Sequence, residues 1–281
     1  MPHLIKAIVM TRPVYLFRCL CLFVLSNLSL SFSIQSLAAS IVGEARSAQV
    51  LKDCDECPEM VPMQGGTFLM GSPLGSPLMQ SRSAEAPQHL VQIKAFSIGK
   101  IEVTQAQWHY IVGSDISAFK GRRLPVESIS VDDVQEFLTK ISKKTGRNYR
   151  LPTEAEWEFA ARCGNTAAYG FGDKAEDLVK YAWFDMNANE KTHEVASKLP
   201  NACGLYDMHG NVQEWTEDCW TNDYGNAPND GRAVVTGLCS QKVVRGGTWY
   251  DPADKLRSAS RQPHGYALRS RFTGFRVVRD N

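Results

Sequence analysis

No cysteine follows Cys239, so residues 240–281 carry no thiol. That segment offers no thiolate pair, which is the ligand type that a soft ion such as Cu(I) prefers. The histidines show neither H-x-H nor H-x-x-x-H spacing, which argues against a histidine-based transition-metal site. The glycine-containing stretch 71–78 lacks the Lys-Ser/Thr ending of a phosphate-binding loop and has prolines where a helix should begin.

Acidic residues are also missing before Glu44, in a stretch that differs from the rest of the chain. Three basic residues occur there: Lys6, Arg12 and Arg18. Residues 14–37 are rich in Leu, Phe, Val, Ile, Cys and Ser, and small residues follow up to Ala39. This order predicts a secretory signal peptide over residues 1–40, and the serines and small residues favour cleavage over a retained membrane anchor. We therefore expect a periplasmic or secreted bacterial protein without a stable membrane anchor.

The rest of the chain is nearly neutral, because leaving out residues 1–40 removes three basic residues and no acidic one from a net charge of +1. This balance gives no electrostatic reason to expect nucleic acid as a partner. A composition of 43% hydrophobic and 22% charged residues is typical of a folded protein. Residues 41–57 are interpreted as a polar leader and residues 58–281 as one domain without internal repeats.

Six cysteines remain after residue 40, and an even number in an exported chain indicates disulfide bonds. Spacing alone does not fix their pairing. Cys219 and Cys239 flank a polar loop, which favours a bond between them. Cys163 with Cys203 is the next pairing considered.

The remaining two cysteines form a C-x-x-C at Cys54 and Cys57. Such a motif can be a redox pair or half of a zinc site. Pro58 follows where a redox pair usually has a helix, and no second pair of metal ligands lies nearby in the sequence. A structural disulfide or two surface thiols are the interpretations that this pattern favours.

Hydrophobic periodicity predicts short elements joined by long loops. Residues 60–72 indicate a strand, a Gly-Gly turn and a second strand, and residues 89–104 indicate further strands. Thr104, Ser130 and Thr153 are predicted helix N-caps. Beyond Gly164 the pattern is irregular until three strand-like segments near the C-terminal end. The sequence thus predicts one α+β domain with short helices, short strands and long ordered loops.

Seven blocks, in this order, resemble the formylglycine-generating-enzyme-like, or sulfatase-modifying factor, family. They are MVPMQGGTFLMGS (60–72), IGKIEVTQAQW (98–108), RLPTEAEWEFAARCG (150–164), PNACGLYDMHGNVQEWTED (200–218), VVRGGTW (243–249), RSASR (257–261) and GFRVVRD (274–280). The resemblance covers essentially the whole predicted domain and implies a fold related to C-type lectins. Members include sulfatase-activating oxidases, the C-terminal parts of hercynine oxygenases, and an exported protein needed for pyoverdine siderophore maturation.

In the oxidase branch, one copper-binding cysteine lies three residues after the serine of a Gly-Gly-Ser motif, and a second follows shortly. Here Thr248 replaces that serine, and Asp251 lies three residues on. A carboxylate cannot replace a thiolate as a ligand for Cu(I). The resemblance therefore implies an exported branch of the family that lacks the cysteine pair, with copper and formylglycine generation not expected.

Polar residues around the missing thiols are weak candidates for an altered catalytic site. They are Asp251, Asp254, Arg257, Arg261 and His264. Asp251 is the candidate general base or hard-metal ligand among them. Solvated loop residues with one or two salt bridges are the alternative, and the sequence favours that alternative.

Calcium is the cofactor that the resemblance implies, in a structural role. In calcium-binding relatives the equivalent block supplies backbone carbonyls and one glutamate. Carried over to this sequence, the ligands are the carbonyls of His209, Gly210 and Val212 and the side chain of Glu214. A Glu214 salt bridge or hydrogen bond is the alternative.

Aromatic residues near the conserved blocks are candidates for a ligand-binding groove. They are Trp220, Tyr224, Trp249 and Tyr250. Core packing is the alternative for most of them.

Two functions fit this sequence, and whether the chain is an enzyme stays open. The first is a role in the oxidative maturation or tailoring of a small molecule or peptide, such as a siderophore precursor, in the periplasm. The second is a non-catalytic, lectin-like module that binds a glycan, a peptide or a protein. The missing thiols favour the second, and the analogy with the pyoverdine-maturation protein favours the first.

Overall fold

The computed structural model describes residues 50–73, 83–236 and 239–280 of the chain. In these ranges, short strands and helices are joined by loops. These residues belong to one structural unit, Ala48–Asn281. The predicted signal peptide over residues 1–40 and the first part of the predicted leader lie outside the described residues. No helix among the described residues is long and apolar enough to cross a membrane.

Most elements occur where the hydrophobic pattern predicts them, except the strand at Arg261–Gly265 and the short helix at Leu178–Tyr181. The strands are β1 (Met60–Met63), β2 (Gly66–Met70), β3 (His89–Ile93), β4 (Phe96–Gly99), β5 (Tyr149–Arg150), β6 (Gln213–Cys219), β7 (Gln241–Arg245), β8 (Arg261–Gly265), β9 (Thr273–Gly274) and β10 (Val278–Arg279). The α-helices are α1 (Gln105–Val112), α2 (Val131–Thr145), α3 (Glu154–Arg162) and α4 (Leu178–Tyr181). Single 3₁₀ turns occur at Ser83–Glu85, Ala175–Asp177 and Ala253–Lys255.

Capping boxes fix the start of the three longer helices, as the sequence predicts. Thr104, Ser130 and Thr153 each accept a hydrogen bond from the backbone N–H three residues on, and the side chain at that position accepts one in return from the cap's own N–H. Each cap thereby satisfies N–H groups that have no partner inside the helix. Gly146 ends α2 in the left-handed conformation, as predicted for a glycine at this position.

Three sheets organise the domain, in the strand orders β1-β4-β10-β5, β2-β3 and β8-β7-β6-β9. Strands β1 and β2, which are neighbours in the sequence, therefore belong to different sheets. Gly65, at φ +72°, turns the chain between them, and a Cβ there would lie 2.6 Å from the Ile93 carbonyl oxygen. This close approach requires glycine.

The main core lies between α1, α2 and the strands. Val134, Phe137, Leu138 and Ile141 form the buried face of α2. Phe137 stacks on Trp108 of α1, with ring centroids 5.7 Å apart. Full burial of each such side chain contributes about 1.5–3 kcal/mol. This packing makes α1 and α2 a rigid support for the loops that follow.

Part of the predicted leader, before the predicted boundary at Pro58, packs onto the domain. Leu51 and Met60 exchange two backbone hydrogen bonds, of 2.9 and 2.8 Å. Asp53 accepts hydrogen bonds from the Tyr149 hydroxyl (2.6 Å) and from Arg279 (2.7 Å). The described end of the leader is thus tied to the fold by backbone and side-chain contacts.

The six cysteines of the described chain form three disulfide bonds. Cys219 pairs with Cys239, which is the pair that the sequence favours, and Cys163 pairs with Cys203, the next pairing considered. Cys54 pairs with Cys57. The first two bonds fasten long loops, which suits a domain with little regular secondary structure.

Candidate functional site

The loop after β7 occupies the position where the resemblance places the copper-binding thiols. Asp251 Oδ2 accepts hydrogen bonds from the backbone N–H (3.0 Å) and the hydroxyl (2.8 Å) of Thr248. The backbone N–H of Trp249 donates to the carbonyl oxygen of Asn211 (2.8 Å). Asp251 therefore closes a tight turn, and its half-buried carboxylate has a local structural role.

Three aromatic residues and one arginine lie together at this turn, and we call them the aromatic face: Trp249, Tyr250, Phe272 and Arg271. Trp249 is buried and forms its floor, with the Phe272 ring 4.8 Å away. Tyr250 is 62% exposed. The Arg271 guanidinium lies 5.3 Å from the Trp249 ring centre and 5.2 Å from that of Phe272. The face can contact a planar or apolar group through its rings and an anionic group through the exposed Arg271.

The candidate arginines are held by buried carboxylates. Arg257 donates two hydrogen bonds to Glu85, of 2.7 and 2.6 Å. Arg261 donates to both oxygens of Glu154, at 2.7 and 2.8 Å. Glu85 lies in the loop before β3 and Glu154 begins α3, so neither pairing can be read from local spacing. The solvated-loop alternative is also wrong for both arginines, since they are buried.

His264 belongs to the packing of β8. Its ring lies 4.8 Å from the Trp215 ring, and its Nε2 is 3.3 Å from the Thr273 hydroxyl. Burial lowers the pKa of His264, so the ring is neutral at neutral pH. Asp251, Arg257, Arg261 and His264 thus have separate sets of partners.

The four aromatic residues that were predicted to line one groove belong to two separate regions of the domain. Tyr224 is buried and donates its hydroxyl proton to Glu154 (2.9 Å). Trp220 is half-buried and lines a cavity of about 470 Å³ that continues along residues 221–227. The Arg261 guanidinium lies 4.5 Å from the ring centres of both Trp220 and Tyr224. A ligand can therefore reach Trp220 in this cavity and Tyr250 on the aromatic face.

Glu214, the predicted calcium ligand, is bound within the protein. Both of its oxygens accept hydrogen bonds from Arg276, at 2.6 and 2.7 Å, and Oε2 also accepts one from the Trp157 indole (2.7 Å). All three side chains are essentially fully buried. In the structure, the Glu214 side chain thus forms the salt bridge that was the alternative to a calcium ligand.

The backbone just before β6, which carries Glu214, forms a tight buried turn. Gly210 has φ +79°, and a Cβ there would lie 2.1 Å from the Trp183 carbonyl oxygen. Val212, two residues after Gly210, donates its backbone N–H to Glu102 (3.1 Å). The loop's shape therefore depends on glycine and on a buried carboxylate.

His209 is a buried neutral imidazole. Its Nε2 accepts a hydrogen bond from the backbone N–H of Gly170 (3.1 Å), so its Nδ1 carries the proton and donates to the Leu256 carbonyl oxygen (2.6 Å). Burial lowers the pKa of His209 to about 4. The side chain joins two loops to the segment that carries Glu214.

Two further carboxylates lie beside Glu214, and the sequence analysis did not identify them. Glu102 accepts hydrogen bonds from Asn211 (2.7 Å) and from the backbone of Val212. Asp207 Oδ2 accepts one from the backbone N–H of Ala196 (2.8 Å), whereas Oδ1 is buried without a hydrogen-bond partner. Burial, together with the neighbouring carboxylates, raises the pKa of Glu102 well above its usual value and that of Asp207 to about 6.

This group, which we call the carboxylate cluster, consists of Glu102, Asp207 and Glu214 around Arg276. A bound cation or a proton would relieve its excess negative charge. No three His, Cys, Asp or Glu side chains among the described residues are placed to hold a metal ion together. The free oxygen of Asp207 and the backbone carbonyls of the loop are hard ligands, the type that calcium takes. Asp207 lies in the same sequence block as Glu214, which is the signal that could have identified it.

The comparisons with known proteins agree with this fold. The model of the sulfatase-modifying factor enzyme 1-like domain matches residues 46–281. The chain therefore belongs to this family, and its fold is the C-type-lectin-like fold of formylglycine-generating enzymes.

Individual relatives differ in their names. The chaperone protein LppX of Paenibacillus barcinonensis is 28% identical in an alignment of 242 positions, which covers 68% of this chain and 78% of LppX. The serine/threonine-protein kinase pkn1 of Chlamydia pneumoniae is 30% identical over 79% of this chain, which corresponds to only 38% of the kinase. The solved structure of PvdO from Pseudomonas aeruginosa is 33% identical, covers 83% of this chain and 98% of PvdO, and superposes with a TM-score of 0.76.

Proposed function

We propose that this protein is exported and assists the maturation of a small molecule or peptide, such as a siderophore precursor, without the copper–thiolate chemistry of the family's oxidases. The observation that carries this proposal is the loop after β7, where Thr248 to Asp251 form a closed turn beneath exposed rings and no thiol occurs in residues 240–281. The likeness to PvdO supports a maturation-related role.

The aromatic face is the proposed contact surface for that substrate. Tyr250 and Arg271 are exposed, and the buried Trp249 holds them in place from below. A siderophore precursor carries planar and anionic groups, which suit rings flanked by a guanidinium. The signal-like residues 1–40 and the three disulfide bonds support export.

Deletion of the gene, followed by mass spectrometry of the secreted metabolites, tests this function. We expect a precursor to accumulate that is two hydrogens heavier than the product. Complementation with Tyr250→Ala should fail to restore the product, whereas Tyr110→Ala, which alters an exposed tyrosine on α1, should restore it. An unchanged metabolite profile in the deletion strain would contradict the proposal.

Copper binding gives a separate test. Because the six described cysteines are all disulfide-bonded, we expect no stoichiometric Cu(I) uptake by the purified exported protein. Tight binding of one Cu(I) per chain, or aldehyde formation on a sulfatase peptide, would contradict the proposed absence of copper–thiolate chemistry.

A non-catalytic binding module for a glycan, peptide or protein partner is the second candidate. The cavity beside Trp220 favours it, because an aromatic ring and polar loop residues line an opening of ligand size. The match to 38% of a kinase is also compatible with a module that serves a larger protein. Under this alternative, Trp220→Ala abolishes function in the complementation assay and Tyr250→Ala does not.

Calcium, or another hard cation, is a proposed structural partner of the loop around Gly210 and Val212. Glu214 is engaged by Arg276, so we propose that Asp207 supplies the available side-chain oxygen. Such an ion would hold the loop and the carboxylate cluster in place and take no part in the proposed reaction.

A further inference from the structure

The disulfide bonds of the described chain differ in how much chain they close. The bond between Cys54 and Cys57 spans three positions, whereas the other two span 40 and 20. A short closed loop restricts the unfolded chain least, because loop-closure entropy grows with loop length. The Cys54–Cys57 bond therefore contributes the least to folding of the three.

Non-covalent contacts hold the same segment on both sides of this bond. Leu51 exchanges two backbone hydrogen bonds with Met60, and Asp53 accepts bonds from Tyr149 and Arg279. These contacts do not involve sulfur, so reduction of the disulfide does not break them directly. The fold can therefore accommodate both the oxidised and the reduced pair.

The two sulfurs of the pair differ in access. Cys54 is half-buried, whereas Cys57 is 1% exposed and packs in the main core. The backbone N–H of Cys57 donates to the Cys54 carbonyl oxygen (3.0 Å), which keeps the two residues together in a turn. An attacking thiolate can reach Cys54, and Cys57 is then the leaving group.

A charged cavity opens beside the pair. Its volume is about 430 Å³, and Cys57, but not Cys54, lies in its wall. Four basic side chains and two acidic ones line it: Lys52, Lys100, Arg122, Arg123, Glu56 and Glu59. Lys100 is paired with Glu59 and Arg123 with Glu194, so Lys52 and Arg122 are the cations that favour an anionic ligand and stabilise a departing thiolate. The volume is within the range of small-molecule sites.

We propose that Cys54–Cys57 is an exchangeable disulfide that oxidises a small thiol carrying carboxylate groups. The ligand thiolate attacks Cys54 Sγ, the bond between Cys54 and Cys57 breaks, and Cys57 leaves as a thiolate that takes up a proton. A second ligand thiolate then attacks the ligand sulfur of the mixed disulfide and releases Cys54, which is also protonated. Two thiols thereby lose two electrons and two protons, and the two protein sulfurs gain them.

Reduced glutathione is the probe for this exchange, and cysteamine, a cationic thiol, is the control at equal thiolate concentration. The purified exported protein is incubated with each, quenched with acid, alkylated and mapped by mass spectrometry. We expect Cys54–Cys57 to react about ten-fold faster than either other disulfide, with glutathione attached to Cys54. Cysteamine should react several-fold more slowly than glutathione. A rate equal to that of the other disulfides, an adduct on Cys57, or equal rates with both thiols would overturn the proposal.

Two further measurements separate exchange from unfolding. Lys52→Gln should slow the reaction with glutathione but not with cysteamine, whereas Lys94→Gln, an exposed lysine outside this cavity, should change neither rate. The near-ultraviolet circular dichroism of the protein should stay unchanged when only Cys54–Cys57 is reduced. Loss of that signal, or equal effects of the two lysine variants, would contradict the assignment.

Discussion

Asp207 shows how a single buried oxygen creates a dependence on protons or cations. Its Oδ1 has no hydrogen-bond partner, and burial beside other carboxylates raises its pKa to about 6. Because the folded state binds this proton more tightly than the unfolded state does, the stabilisation is complete below the ordinary Asp pKa and is lost as pH rises through about 6.

We therefore predict that Asp207→Asn removes a decline in stability between about pH 4 and 6, on the order of 2 kcal/mol. Urea unfolding at several pH values in EDTA measures it, with Asp185→Asn, an exposed aspartate, as the control. If the free energy of unfolding depends on pH in the same way for the wild type and for Asp207→Asn, this carboxyl does not titrate on unfolding.

Calcium should substitute for the lost proton at neutral pH. We expect millimolar CaCl₂ to raise the melting temperature of the wild type above its value in EDTA, because an ion that binds only the folded state stabilises it. The same addition should leave Asp207→Asn unchanged. A wild type that does not respond to calcium would argue against the proposed ion.

Glu214 is the residue where the structure favours a different role from the one that family resemblance implies. Its carboxylate neutralises the fully buried Arg276, and removal of one partner of a buried pair leaves the other charge uncompensated. We predict that Glu214→Ala lowers the free energy of unfolding by about 3–5 kcal/mol. Denaturant titration measures the loss, and Glu217→Ala, a half-buried neighbour on β6, should cost clearly less.

Helix caps are the element-scale feature that the sequence predicts best. Thr104, Ser130 and Thr153 were identified from residues three positions apart, and all three form capping boxes. Sheet pairing could not be predicted in this way. The pairings of β10 with β4 and β5 join segments far apart in the sequence, and local patterns contain no information about such partners.

The candidate site shows the same contrast between local contacts, which the sequence predicts, and long-range contacts, which it does not. The turn at Thr248 to Asp251 comes from neighbouring residues, so a sequence block could locate it. The partners of Arg257 and Arg261 are Glu85 and Glu154, which only the tertiary fold brings near. The sequence therefore offered a shared catalytic site as a candidate and favoured solvated loop residues, whereas Arg257 and Arg261 form separate buried ion pairs.

At the element scale we predict that Ser130→Ala destabilises the domain by about 1 kcal/mol, because α2 loses its cap. Thr139→Ala, on the exposed face of the same helix, should have little effect or stabilise slightly, since alanine has the higher helix propensity. Thermal unfolding of the two variants gives the comparison. Equal losses would indicate that the capping box contributes little.

At the scale of the whole molecule, loop closure distinguishes the disulfide bonds. Loss of Cys163–Cys203, which spans 40 positions, should cost about 4 kcal/mol, whereas loss of Cys54–Cys57 should cost about 2 kcal/mol. We predict that Cys163→Ser/Cys203→Ser has a melting temperature roughly 5 °C below that of Cys54→Ser/Cys57→Ser. Calorimetry under oxidising conditions measures both, and the reverse order would contradict the ranking.

Strand β10 lies between β4 and β5, so Val278 pairs with both Ile98 and Arg150. The sheet that contains these strands cannot close until the ribosome has synthesised the chain as far as Arg279. Shorter nascent chains contain β4 and β5 without the strand that lies between them. The order of the strands thus delays completion of the fold until almost the whole domain has been made.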